Sequence, residues 1–257
     1  MAKKYIIANW KMNPSSSEEA IRLVRGILSQ TLPKNIELII APPFIYLDLV
    51  KKNFSAKGGS AFGGKNEIKL AAQNVGWFER GAFTGEISGL MLKNIGCDYV
   101  IIGHSERRHK IGETDEMINL KLKAAFKSGL NPILAIGEKE RGDDIIKVLN
   151  SQIKSDLYGI DASEIGRLII AYEPVWAIGT GLSDTPDHAL SSALLVRKII
   201  GNLYTPDFAI DLPVLYGGSV TAENAADFIG QTGINGALVG SASLNIEEFL
   251  KIIKFAE

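Results

Sequence analysis

Two glutamates, a histidine, a lysine and an asparagine stand where short apolar runs give way to polar chain. They occur in Asn9-Trp10-Lys11, in Gly103-His104-Ser105-Glu106-Arg107-Arg108 and in Glu173-Pro174. Small-residue turns, Gly217-Gly218-Ser219 and Gly240-Ser241, end two later apolar runs. The chemistry such a set supports is proton movement next to a carbonyl. A carboxylate shielded from water is a stronger base, which suits Glu173. His104 can donate a hydrogen bond to a developing enolate oxygen, while Lys11 and Asn9 stabilise negative charge. Glycine-rich turns free backbone N–H groups to point at an oxyanion such as a phosphate. Taken singly, each residue has a plainer reading. A lysine after an apolar run is usually solvated or salt-bridged, and Arg107 and Arg108 read as ion-pair partners rather than ligands.

The stretch Pro174-Val-Trp-Ala-Ile-Gly-Thr-Gly181 follows the candidate base directly. A bulky apolar centre between a proline and a Gly-Thr-Gly has the stiff middle and flexible ends of a water-excluding lid. The alternative is an ordinary connecting loop with a buried Trp176.

These residues need a scaffold that gathers them at one end. Eight short, largely β-branched apolar runs supply it: Tyr5–Ala8, Ile36–Ala41, Ile68–Ala72, Tyr99–Ile102, Pro132–Ile136, Leu168–Ala171, Pro213–Tyr216 and Gly236–Val239. Each is too short for a helix and too uniformly apolar for a strand with one wet face, the pattern of a parallel sheet covered on both sides. Amphipathic spacing predicts helices over Glu18–Leu28, with a cap among Ser15, Ser16 and Ser17, over 114–127 with Thr114 as cap, over Ala189–Ile200 and over Ala222–Phe228. Repeated strand–helix units point to an α/β fold, a single closed (β/α)8 barrel over residues 1–257, with an open doubly wound sheet as the alternative. In such a barrel the C-terminal strand ends form one rim, which is where all the residues above fall. The glycine-rich stretch Lys57–Lys65 reads as a surface loop before the third strand.

Composition excludes several classes. With 28 basic against 29 acidic side chains the net charge is −1, which argues against general affinity for nucleic acid or anionic membrane. No apolar stretch is long enough to span a bilayer, and the apolar run before Asn9 is too short for a signal peptide. The single cysteine, Cys97, rules out an internal disulfide framework and fits a reducing compartment, so the expected setting is the cytosol. His104, His109 and His188 form no metal-ligand pattern, and Gly179-Thr-Gly181 lacks the third glycine of a dinucleotide site. No metal or cofactor is expected. The segment Gly76–Glu86 carries Trp77, Phe78 and Phe83 without a helical stripe to bury them, an unusual surface for a monomer.

The chain resembles the triosephosphate isomerase family from about residue 5 to residue 250. The likeness rests on Asn9-Trp-Lys-Met-Asn13, Ala72-Gln-Asn74, Gly81-Ala-Phe-Thr-Gly-Glu86, Gly103-His-Ser-Glu-Arg-Arg108, Ala171-Tyr-Glu-Pro-Val-Trp-Ala-Ile-Gly-Thr-Gly181 and Tyr216-Gly-Gly-Ser-Val220, all in order. The resemblance implies cofactor-free interconversion of dihydroxyacetone phosphate and D-glyceraldehyde 3-phosphate, a step of glycolysis and gluconeogenesis. It makes Glu173 the base between C1 and C2, His104 a neutral imidazole on the carbonyl, and Lys11 the charge partner with Asn9 beside it. Glu106 and Ser105 become supporting residues, and backbone N–H groups at Gly179, Ser219, Gly240 and Ser241 hold the phosphate. It also implies a homodimer, in which the loop bearing Thr84 inserts near the partner's active site. Two departures stand out: Ser241 replaces the second glycine of the family's usual pair, and Ala135 replaces a common cysteine. The competing readings are another phosphosugar enzyme on the same barrel and a non-catalytic barrel kept as a scaffold. A Schiff-base aldolase is disfavoured because the sixth strand ends in Glu173 rather than lysine.

Overall fold

The computed structural model describes residues 3–30, 33, 35–55, 68–179 and 184–256. The Lys57–Lys65 stretch and the Thr180-Gly181 end of the expected lid lie outside these residues. Eight strands run β1 (Lys4–Asn9), β2 (Ile36–Ala41), β3 (Lys69–Ala72), β4 (Tyr99–Ile102), β5 (Asn131–Ile136), β6 (Ile169–Tyr172), β7 (Val214–Tyr216) and β8 (Gly236–Val239). They close in sequence order into one barrel, and every pairing is parallel, including β1 with β8. The closed barrel, not the open sheet, is therefore the architecture.

The helices of the first half are α1 (Ser17–Leu28), α2 (Leu47–Ser55), α3 (Gly89–Ile95) and α4 (Asp115–Lys127). Those of the second half are α5 (Ile145–Asp156), α6 (Ala162–Ile165), α7 (Pro186–Leu203), α8 (Pro206–Asp211), α9 (Ala225–Ile229) and α10 (Ile246–Lys254). Ser16 caps α1 by accepting the Glu19 N–H, and Thr114 and Thr185 cap α4 and α7 in the same way. Pro186 at the first turn lets α7 begin three residues before the apolar stripe predicts. The helix expected over Ala222–Phe228 starts later, at Ala225. There the Asn224 side chain accepts the Thr221 N–H at 2.9 Å and closes a turn first.

Two apolar layers explain why the strands have no wet face. Ile7, Ile39, Ala71, Ile101, Ile133, Ala171, Leu215 and Leu238 fill the barrel. Their neighbours along each strand, such as Ile6, Leu38, Leu70, Val100, Leu134, Ile170 and Val239, pack against the helices. No helix among the described residues is long and apolar enough to cross a membrane.

Candidate active site

Glu173 follows β6, and its backbone N–H donates to the Ile136 carbonyl of β5 at 2.7 Å, so the barrel's bonding still fixes it. The residue is 1% exposed. Its Oε2 accepts the Ser105 backbone N–H at 2.8 Å. Its Oε1 lies 3.2 Å from His104 Nε2 yet makes no hydrogen bond, leaving one buried carboxylate oxygen unpaired beside the cleft. Two glycines make room for this residue. A Cβ on Gly217 would come within 2.9 Å of Glu173 Cγ, and one on Gly137 would collide with the Glu173 backbone.

His104 is buried just after β4. The Glu106 backbone N–H donates to its Nδ1 at 3.2 Å. Nδ1 is therefore occupied as an acceptor, which leaves Nε2 as the ring nitrogen free to donate on the Glu173 side.

Lys11 has φ of 54°, alone among the described non-glycine residues in the left-handed region. Two side chains hold it there. Its N–H donates to Asn9 Oδ1 at 3.0 Å, and the Gln73 amide donates to the carbonyls of both Lys11 and Ala41 at 2.8 Å. The ammonium donates to Glu106 Oε1 at 3.0 Å. Partial burial pushes the Glu106 carboxyl up, but the Lys11 hydrogen bond and charge hold it below the ordinary carboxylate range.

Asn9, Lys11, His104 and Glu173 line one cleft of about 240 Å³, together with Gly179, Ser219, Gly240 and Ser241. All eight candidate contact residues thus meet at one rim, and Ser105 and Glu106, just past β4, bond to Glu173 and Lys11 there. Gly179 has φ of 71°. Ser241 opens a 3-10 turn without entering the left-handed region, so a side chain at this position leaves the backbone turn intact. Ala135 packs inside the barrel, and its carbonyl accepts from Arg108. Arg107 and Arg108 pair with Glu113 and with Asp115 and Asp156, as ion-pair partners should. Among the described residues no cluster of His, Cys, Asp and Glu is placed to hold a metal ion.

Gln73 and Glu138 are additions that sequence reasoning missed. Glu138, two residues past β5, accepts from the Tyr172 hydroxyl at 3.0 Å and from the Trp176 indole at 2.7 Å. The Arg141 guanidinium lies 5.2 Å from the centre of the same indole ring. Burial pushes the Glu138 carboxyl above its ordinary range, against the pull of these hydrogen bonds. The signal was available for both residues, since each sits at a strand's C-terminal end.

A family model described as triosephosphate isomerase matches residues 4–256. The chain belongs to the triosephosphate isomerase family. Curated relatives named triosephosphate isomerase include one from Acetivibrio thermocellus, 44% identical with 99% of each chain covered. Those from Alkaliphilus oremlandii and Dictyoglomus thermophilum are each 43% identical, with 99% of this chain and 100% of theirs covered. As a member of the triosephosphate isomerase family this chain is an isomerase, and its reaction interconverts dihydroxyacetone phosphate and D-glyceraldehyde 3-phosphate. The scaffold reading and the other phosphosugar enzymes are not favoured.

Proposed function

We propose that Glu173 is the base of this isomerisation, moving the proton between C1 and C2 through an enediolate. The supporting observation is the unpaired Glu173 Oε1, buried beside the cleft 3.2 Å from His104 Nε2. Glu173 takes a proton from C1 of the ketose and returns it at C2. His104 donates to the carbonyl oxygen as negative charge develops there, and stands beside the hydroxyl proton that must pass between the two oxygens. Lys11, oriented with Asn9, balances the enediolate and phosphate charge, and Glu106 fixes the lysine while Ser105 steadies the base. Backbone N–H groups of Gly179, Ser219, Gly240 and Ser241 hold the phosphate, and the Val175–Gly179 lid keeps water from the intermediate. The reaction needs no cofactor or metal in this scheme, and one barrel domain over residues 1–257 carries it.

A coupled assay with each triose phosphate tests the reading, with Glu173→Gln beside the wild type. Losing a positioned base costs on the order of 10²–10⁴-fold in rate. A variant keeping a tenth of the wild-type kcat removes Glu173 from the role.

The working form is a symmetric homodimer through Gly76–Glu86 in a reducing cytosol. Phe78 and Phe83 stack 3.6 Å apart, and each remains 39% exposed. Met12, next to Lys11, is 94% exposed. A two-fold axis would cover this apolar surface twice and brace Lys11 with the neighbour's Thr84 loop. Cys97, buried in the core, suits a reducing compartment.

A further inference from the structure

Behind the site, one guanidinium joins the two strand ends that carry His104 and fix Glu173. The Arg108 side chain is 7% exposed and makes four hydrogen bonds. Its Nε donates to the Gly103 carbonyl at 2.7 Å, and Nη2 donates to the Ala135 carbonyl at 3.1 Å and to Asp156 Oδ2 at 2.6 Å. Nη1 donates to Asp115 Oδ1 at 2.6 Å. Gly103 immediately precedes His104, with φ of 74°, and a Cβ there would lie 2.8 Å from Arg108 Nη2. Ala135 precedes Ile136, the residue whose carbonyl receives the Glu173 N–H. The guanidinium therefore clips β4 to β5 next to the two reacting side chains.

Asp156 orients that clip. It ends α5, is completely buried, and its Oδ1 has no partner. One turn earlier on α5, Gln152 bonds both backbone groups of Gly137, at 2.9 and 3.1 Å. The helix thus sets two polar side chains, four residues apart, against the rear of the strand ends. Arg108 and Asp115 are the charged groups facing Asp156, and the Asp115 side chain is 38% exposed. A charge pair buried this deeply gives up its hydration and is a poor stabiliser, so its presence here is better explained by the geometry it fixes.

We propose that Asp156, acting through Arg108, is a positioning residue for the isomerisation, holding His104 in register with Glu173 across the β4–β5 seam. The inference rests on the roles assigned to His104 and Glu173 above. Neither Asp156 nor Arg108 lines the substrate cleft. The phosphate turns lie across the cleft, on the lid and after β7 and β8, so substrate affinity should survive while turnover suffers.

Assayed above about pH 8, where the Asp156 carboxyl is ionised, Asp156→Asn keeps the shape and removes the charge. Arg108→Lys keeps a cation for Asp156 but cannot span the two carbonyls. Each should lower kcat about tenfold or more, leaving KM and inhibition by inorganic phosphate within about twofold. The wild type and Glu173→Gln are assayed alongside. If the wild type fails to isomerise, or Glu173→Gln stays active, the site assignment has failed and this role falls with it. If the assignment holds but both variants keep wild-type kcat, or lose binding and turnover in equal measure, the positioning role alone is overturned. Should Asp156→Asn not yield folded protein, Arg108→Lys decides by the same criteria.

Discussion

Glu138 and Trp176 are joined by a 2.7 Å hydrogen bond from the indole to the carboxylate, which ties the segment after Glu173 to the end of β5. The Tyr172 hydroxyl shares the same acceptor, and the Val175 N–H donates to the Glu138 carbonyl at 3.0 Å. The Val175–Ala177 turn is therefore anchored twice on one residue.

Glu138→Leu takes the carboxylate acceptor away from the buried Tyr172 hydroxyl. An unsatisfied buried donor costs about 1–3 kcal/mol. The urea midpoint should fall, and kcat/KM should drop several-fold, on the order of 1 kcal/mol of transition-state stabilisation, as the lid loses its resting position. An unchanged midpoint would mean that water replaces the carboxylate at no cost.

Lys11→Ala should damage both KM and kcat, because a charge-assisted contact acts in ground and transition states alike. Steady-state kinetics on the purified variant check this, and added alkylammonium ions should restore part of the activity. Ordinary kinetics without any ammonium would take Lys11 out of the site.

Replacing Phe83 and Thr84 with glutamate should yield monomers of much lower activity, because charge on the Phe78–Phe83 stack opposes burial in a partner. Sedimentation at micromolar concentration reads the outcome. A wild type running near its chain mass of 27.8 kDa, or a fully active monomeric variant, counts against the dimer.

Asp156 makes the stability depend on pH. Burial pushes its carboxyl up to about 7 against the pull of Arg108. The folded value lies above that of an unfolded aspartate, so between roughly pH 4 and pH 7 the native state binds the extra proton. The stability contributed by this group is full below that window and declines as pH rises through it. Urea midpoints at pH 5 and pH 7.5 should therefore fall further for the wild type than for Asp156→Asn. Parallel changes in the two proteins would show that Asp156 keeps an ordinary carboxyl.

The strands were legible because a buried parallel sheet writes itself as uninterrupted apolar runs, and the site because a barrel collects strand ends on one rim. Helix α4 was equally clear, with Ile118, Leu122, Ala125 and Phe126 on its buried face. Helix α5 was not assigned, since Leu149 and Ile153 share its buried face with Asp156 and blur the stripe. The pairing of Arg108 with Asp156 spans 48 residues and carries no local signature. Gln73 belonged to a recognisable motif, but its function comes from bridging the Lys11 and Ala41 carbonyls, which only the folded barrel brings together.

The left-handed backbone of Lys11 has a consequence for how the molecule fails. A non-glycine residue held in that region stores about 1–3 kcal/mol that the surrounding fold must restrain. The restraint here is two side-chain amides, Asn9 and Gln73, rather than a strand ladder. The segment is thus a loaded spring on a rigid drum, and local opening at the rim needs less free energy than separating the strands. With rising denaturant, turnover should disappear while the barrel still gives its full circular dichroism, and the ammonium should be the first part of the site to lose its aim.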